Sequence, residues 1–115
     1  MANTFKVITK AGVTSLDVIY TAASSTTTVI LGLVIGNTTS SQVTSTVTLN
    51  TDTAARAGAN DEANQAVELV TNAPIPAGSS LELLSGNKVV LETTDEIKVS
   101  ATGAVDVALS VMEIT

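Results

Sequence analysis

The stretch "EIKVSATGAVDVALSVMEIT", Glu96–Thr115, decides the fold class. Ile97 and Val99 alternate with Glu96, Lys98 and Ser100. Val105, Val107, Leu109 and Val111 alternate with Asp106, Ala108 and Ser110. A period of two puts successive side chains on opposite faces, so both runs read as half-buried β-strands. At the tail the apolar set moves to Met112 and Ile114. That shift predicts a bulge, or a change of strand partner, near Val111.

The same period recurs upstream. In "VTSTVTL", Val43, Val47 and Leu49 share one face and Thr44, Thr46 and Thr48 the other. Threonine is frequent throughout, and its branched Cβ fits a pleated sheet better than a helix. "TTVILGLVIGN", Thr27–Asn37, differs in being apolar on both faces. It reads as a central strand buried on both sides, with Val29–Ile35 at its heart. Gly32 inside it marks a bulge or a close backbone approach, and Gly36-Asn37 ends it. Strands are expected near 4–9, 16–22, 27–36, 42–50, 66–71, 80–84, 88–92, 96–101 and 104–114. About nine short strands with turns at roughly ten-residue spacing predict an all-β, single-domain antiparallel β-sandwich, with the jelly roll as one version of it. The domain spans 1–115, with a long loop insert at 51–65, "TDTAARAGANDEANQ", where Gly58 and Asn60 break any helical run.

Both prolines fall in "VTNAPIPAGSSLELLSGNKVVLE", Val70–Glu92. Pro74 and Pro76 cannot donate to a sheet ladder, so this piece lies at an edge or outside the sheet. Pro76-Ala77-Gly78 supplies a tight turn, and Gly86-Asn87 marks another reversal.

The chain of 115 residues suits one domain and buries about 65% of its unfolded surface. Its core is aliphatic, because there is one Phe, one Tyr and no Trp; Phe5 and Tyr20 are expected as core anchors. Eleven acids against five bases give a net charge of −6. The bases Lys6, Lys10, Arg56, Lys88 and Lys98 are scattered singly. Without a basic footprint or aromatic stacking platforms, nucleic acid is not an expected partner. An anionic membrane would repel the chain, and the apolar run Val29–Ile35 is far short of a span. The opening "MANTFKVITK" has no apolar signal region, so the chain is expected to be made and to stay soluble in a cytoplasm.

No catalytic residues are expected, because nucleophilic catalysis needs a base beside Ser or Thr and the chain has no His. Cys is absent too, which leaves no zinc set, and no phosphate-cradling glycine motif is present. No metal and no cofactor are expected. Glu92, Asp95 and Glu96 read as solvated charges on a four-residue turn, Thr93–Glu96, and "NDE", Asn60–Glu62, as a loop tip. Asn37-Thr38-Thr39 matches a glycosylation sequon and reads as a chance match.

The opening "ANTFK", the strand "VILGLVIGN", then "APIPAGSSLELLSGNKVVLETTDEIKV" and the terminal "VDVALSVMEI" resemble small β-rich virion structural proteins of tailed bacteriophages. Those proteins commonly carry a "PAG-S-L…G-K-V-L…D-x-I-x-V" pattern. The resemblance covers most of the chain outside the insert. Many such proteins have Gly before the Asp of the last turn, where this chain has Thr94. The resemblance implies a non-enzymatic virion protein, first a capsid decoration (cement) protein that binds and stabilises the shell. A tail or fibre accessory protein, or a carbohydrate- or receptor-binding β-sandwich, is the alternative. It implies the major capsid protein or other virion proteins as partners, and a homo-oligomer, with a trimer as one form. Loops on a rigid sandwich are the usual carriers of recognition. The expected partner contacts are therefore Arg56, Asp61 and Glu62 in the insert, and Pro74 and Pro76 at the proline corner.

Overall fold

The structure is a computed structural model that describes residues 2–52, 64–84 and 88–115. The described residues form two antiparallel sheets and no helix. The strands are β1 (Asn3–Val13), β2 (Asp17–Thr21), β3 (Thr27–Asn37), β4 (Val43–Thr51), β5 (Gln65–Ile75), β6 (Ser80–Leu83), β7 (Val89–Leu91), β8 (Glu96–Ala101) and β9 (Val105–Ile114). Sheet A runs β1-β9-β3-β6, with β7 also on β3; sheet B runs β2-β8-β4-β5. Each expected strand is present within a few residues of its expected bounds.

β6 and β7 pair with one strand. Leu81 faces Ile35 and Leu83 faces Leu33, then Val89 faces Ile30 and Leu91 faces Thr28. β6 and β7 therefore run in the same direction; Gly86-Asn87, where a reversal is expected, lies outside the described residues. Counted as one interrupted strand, β6 and β7 complete the strand order of a jelly-roll β-sandwich.

The core lies between the sheets. Ile30, Leu33, Ile35, Val107, Leu109 and Val111 of sheet A meet Val43, Val47, Ile97 and Val99 of sheet B, all buried. The alternation of β4, β8 and β9 predicts this inner face. β3 corrects the expectation of a strand buried on both sides. It is central in sheet A, but its second face looks outward: Val29 is half-buried and Val34 is 40% exposed, while Leu33 beside it is 1% exposed.

The irregularity expected near Val111 falls on the neighbouring strand. β9 keeps an unbroken register against β1 from Ile114 to Val107. The slip lies in β3, where Ile30 faces Val111 and Gly32 faces Ser110, so Leu31 is the extra residue. Gly32 therefore belongs to a bulge; a Cβ there would meet nothing within 4 Å, which excludes a close backbone approach as its reason.

Candidate interaction surfaces

The outward face of sheet A is assembled by register. Phe5 of β1 lies opposite Met112 of β9, Met112 opposite Val29 of β3, and Val29 opposite Val90 of β7. Directly paired residues share a face, so these four side chains form one apolar row across four strands. Phe5 is 70% exposed and Val90 53%. Val7 and Val34, both exposed, lie on the same face. Phe5 is thus not the core anchor expected of it. Near the far end of this face a depression of about 440 Å³ is lined by Thr9, Lys10, Ala11, Val34, Asp106 and Ala108, among others.

Tyr20 does anchor the core, through a polar network that joins the sheets. Its hydroxyl donates to Glu113 Oε2 at 2.6 Å and lies 2.7 Å from Thr28 Oγ1. With its one proton given to Glu113, the phenol oxygen accepts from Thr28. Lys6 Nζ lies 2.8 Å from Glu113 Oε1. Burial, and then the bond to Glu113, push the Tyr20 hydroxyl up to about 12. The Lys6 ammonium first, and the Tyr20 hydroxyl second, hold the Glu113 carboxyl below its ordinary value. The network links β2 of sheet B to β1, β3 and β9 of sheet A.

The proline corner is built as an edge. Pro74 lies in β5, the outer strand of sheet B, opposite Thr44, where a missing N–H costs no ladder bond. Pro76 opens the turn. Its carbonyl accepts from Ser79 N at 3.1 Å, and Gly78 takes φ +73°, as the third residue of a type II turn requires. Asn37 pins the corner from inside: Nδ2 donates to Ile75 O and Ser41 O, and Oδ1 accepts from Thr39 N. With both ends of its amide engaged and only 5% exposed, Asn37 is no glycan acceptor. Pro74 and Pro76 therefore sit together at one end of the sandwich, while Arg56, Asp61 and Glu62 lie outside the described residues.

The turn before β8 departs from the expected solvated acids. It is closed one residue early, by Asp95 N donating to Glu92 O at 3.0 Å. Asp95 is fully buried. Its carboxylate accepts from Asp52 N at 2.9 Å and Glu92 N at 3.0 Å, an arrangement that fastens the end of β4 to the turn. Thr94 holds φ +70°, a left-handed conformation that costs a β-branched residue strain. Among the described residues no three acidic, His or Cys groups converge on a metal-binding arrangement.

The outward row of sheet A escaped sequence reasoning, although its signal was present. The apolar shift at Met112 and Ile114 and the double apolarity of β3 both report it. No family model and no curated protein matches the chain. A solved structure from work describing Bacillus endospore appendages as a novel family of disulfide-linked pili is similar at 12% identity. The match covers 96% of this chain and 85% of that one, with a TM-score of 0.43, a likeness that carries no argument about function.

Proposed function

We propose that this chain is a non-enzymatic structural protein of a bacteriophage particle, a decoration protein of the shell, and that it docks through the outward face of sheet A. The observation that carries the reading is the row Phe5–Met112–Val29–Val90, with Val7 and Val34 beside it. Apolar side chains set in line across four strands mark a surface that another protein covers. The six residues carry no charge. Glu82, opposite Val34, stands on the edge strand β6, so charge is kept to the rim of the contact, while charged residues are usually depleted at its centre. The sheet beneath is rigid, with β3 and β9 paired on both sides, so little order is lost on binding. The resemblance to phage virion proteins supplies the particle, and the major capsid protein is the partner.

Quantitative mass spectrometry of purified particles tests this. Hundreds of copies per particle are expected of a shell protein. Six or twelve copies would move the protein to the neck or tail, and its absence from particles would sink the reading. In a reconstitution with undecorated particles, Val90→Asp and Val34→Asp should abolish binding while the sandwich stays folded.

A further inference from the structure

The edge of sheet A carries a second, separate surface. Ala2 N donates to Thr115 O and Thr115 N donates to Ala2 O, so these two residues form a mutually bonded pair. The register Asn3↔Ile114 through Lys10↔Val107 continues from it without a slip. Antiparallel ladders alternate, so Thr4, Lys6, Ile8 and Lys10 spend their backbone groups on β9. Asn3, Phe5, Val7 and Thr9 point theirs away from the sheet, and β1 is the last strand on that side. Nearly all of Asn3–Ala11 is exposed, with Ile8 alone half-buried.

The other edges are blunted. β2 is 5 residues long with a slip between Val18 and Tyr20. β5 carries Pro74, Asn72 at φ +50° and two register slips. On the edge beyond β3, β6 is 4 residues long and β7 is 3, with Leu84 at φ +65°. Prolines, bulges, short strands and lysines are the devices that keep an edge from pairing. β1 has its own slip, between Lys10 and Val13 with Gly12 at φ +68°. That slip lies beyond Asn3–Lys10, where the register is unbroken and lysines are the one such device. Each lysine has an acidic neighbour in the protomer. Lys6 is held by Glu113 at 2.8 Å, and Lys10 leans to Asp17 at 4.0 Å.

We infer that β1 pairs with β1 of a second copy of this chain, antiparallel about a two-fold axis at Val7, to join two copies of sheet A into one continuous sheet. With one open edge per protomer among the described residues, a head-to-tail contact has no second edge there to use, and the pairing closes as a dimer. The register follows from charge. Centred on Val7, the whole stretch Asn3–Ala11 pairs, Phe5 faces Thr9, and Lys6 faces Ile8. Centred on Lys6, the pairing would set Lys6 against itself; centred on Ile8, it would set Lys6 against Lys10. Like charges directly opposite destabilise a pair. The outward apolar faces of the two copies then run side by side, with Phe5 and Val7 at the seam. This dimer goes beyond the particle-docking reading and stands or falls without it.

Sedimentation of the purified chain, together with single cysteines, tests the pairing. The chain has no native Cys, so any disulfide is between copies. The wild type should sediment as a dimer at high micromolar concentration. Val7→Cys lies on the axis, with Cα atoms about 5.5 Å apart, and should cross-link about tenfold faster than Lys6→Cys or Ile8→Cys. Val7→Pro removes an N–H that the protomer does not use and should give a folded monomer. A wild type that stays monomeric, a trimer, a Val7→Pro that remains dimeric, or linking at 6 or 8 as fast as at 7 would each overturn the inference. The cysteine series decides the register even if Val7→Pro fails to fold.

Discussion

The two sheets share a core but present opposite outer faces. On sheet B, Lys98 lies opposite Val18 on one side and Thr48 on the other, and Thr48 lies opposite Glu68. The neighbouring rows hold Thr46 with Ser100, and Asn50 with Glu96. On sheet A the corresponding positions are Phe5, Met112, Val29 and Val90. Burial inside the sandwich explains apolar residues on one face of each strand. It does not explain the second apolar face of β3, which this chain keeps although the protomer leaves it open. The contrast is chemical: the outer rows of sheet B carry mostly charged, hydroxyl and amide side chains, whereas the row on sheet A is apolar, and the docking proposal rests on that difference.

The largest test compares the two faces of β3. Leu33→Ala removes a side chain that is 1% exposed and should cost about 2–5 kcal/mol. Val34→Ala, one residue on and 40% exposed, should stay within about 0.5 kcal/mol in denaturant unfolding. Equal costs would mean that the outward face is packed within the protomer, and the contrast would collapse.

The next test asks whether polar bonds also hold the sheets together. Tyr20→Phe leaves Thr28 and Glu113 short of a partner and should cost about 1–3 kcal/mol. The pH limits follow from the two shifts. Tyr20 is raised to about 12 from 10.0, so its contribution is intact below 10 and is lost as pH rises through about 12. Glu113 is lowered from 4.5, so its contribution is present above 4.5 and is lost as pH falls through the depressed value. Tyr20 is the sole tyrosine, so an ultraviolet titration reads it alone. A midpoint near 10 in the folded protein would break the account of the network.

A smaller gain is expected at the turn before β8. Thr94→Gly relieves a residue at φ +70° and should stabilise the chain by about 1 kcal/mol, read as a higher denaturant midpoint.

The smallest stability effects carry the sharpest functional contrast. Val34→Thr and Val90→Thr on sheet A, and Thr46→Val on sheet B, should each change stability by less than about 0.5 kcal/mol. Only the first two should weaken particle binding. Equal binding by all three would remove the difference between the faces.

The strands are legible in local sequence. Alternation in β4, β8 and β9 and the branched side chains that fill them act locally, and a period of two has only one physical source. The same local chemistry made Pro74 an edge residue and Gly78 a turn residue. Which apolar faces meet each other is settled by packing in three dimensions. β3 and the tail of β9 are apolar on both sides, and nothing local distinguishes a side chain covered by the opposite sheet from one left open; register against Phe5 and Val90 does. Asp95 shows the same limit from the polar side. Its carboxylate reads as a solvated charge until β4 arrives across the sheet with the N–H of Asp52, a contact between residues far apart in the chain. Strand identity follows from neighbours in sequence, whereas faces, edges and buried charges follow from neighbours in space.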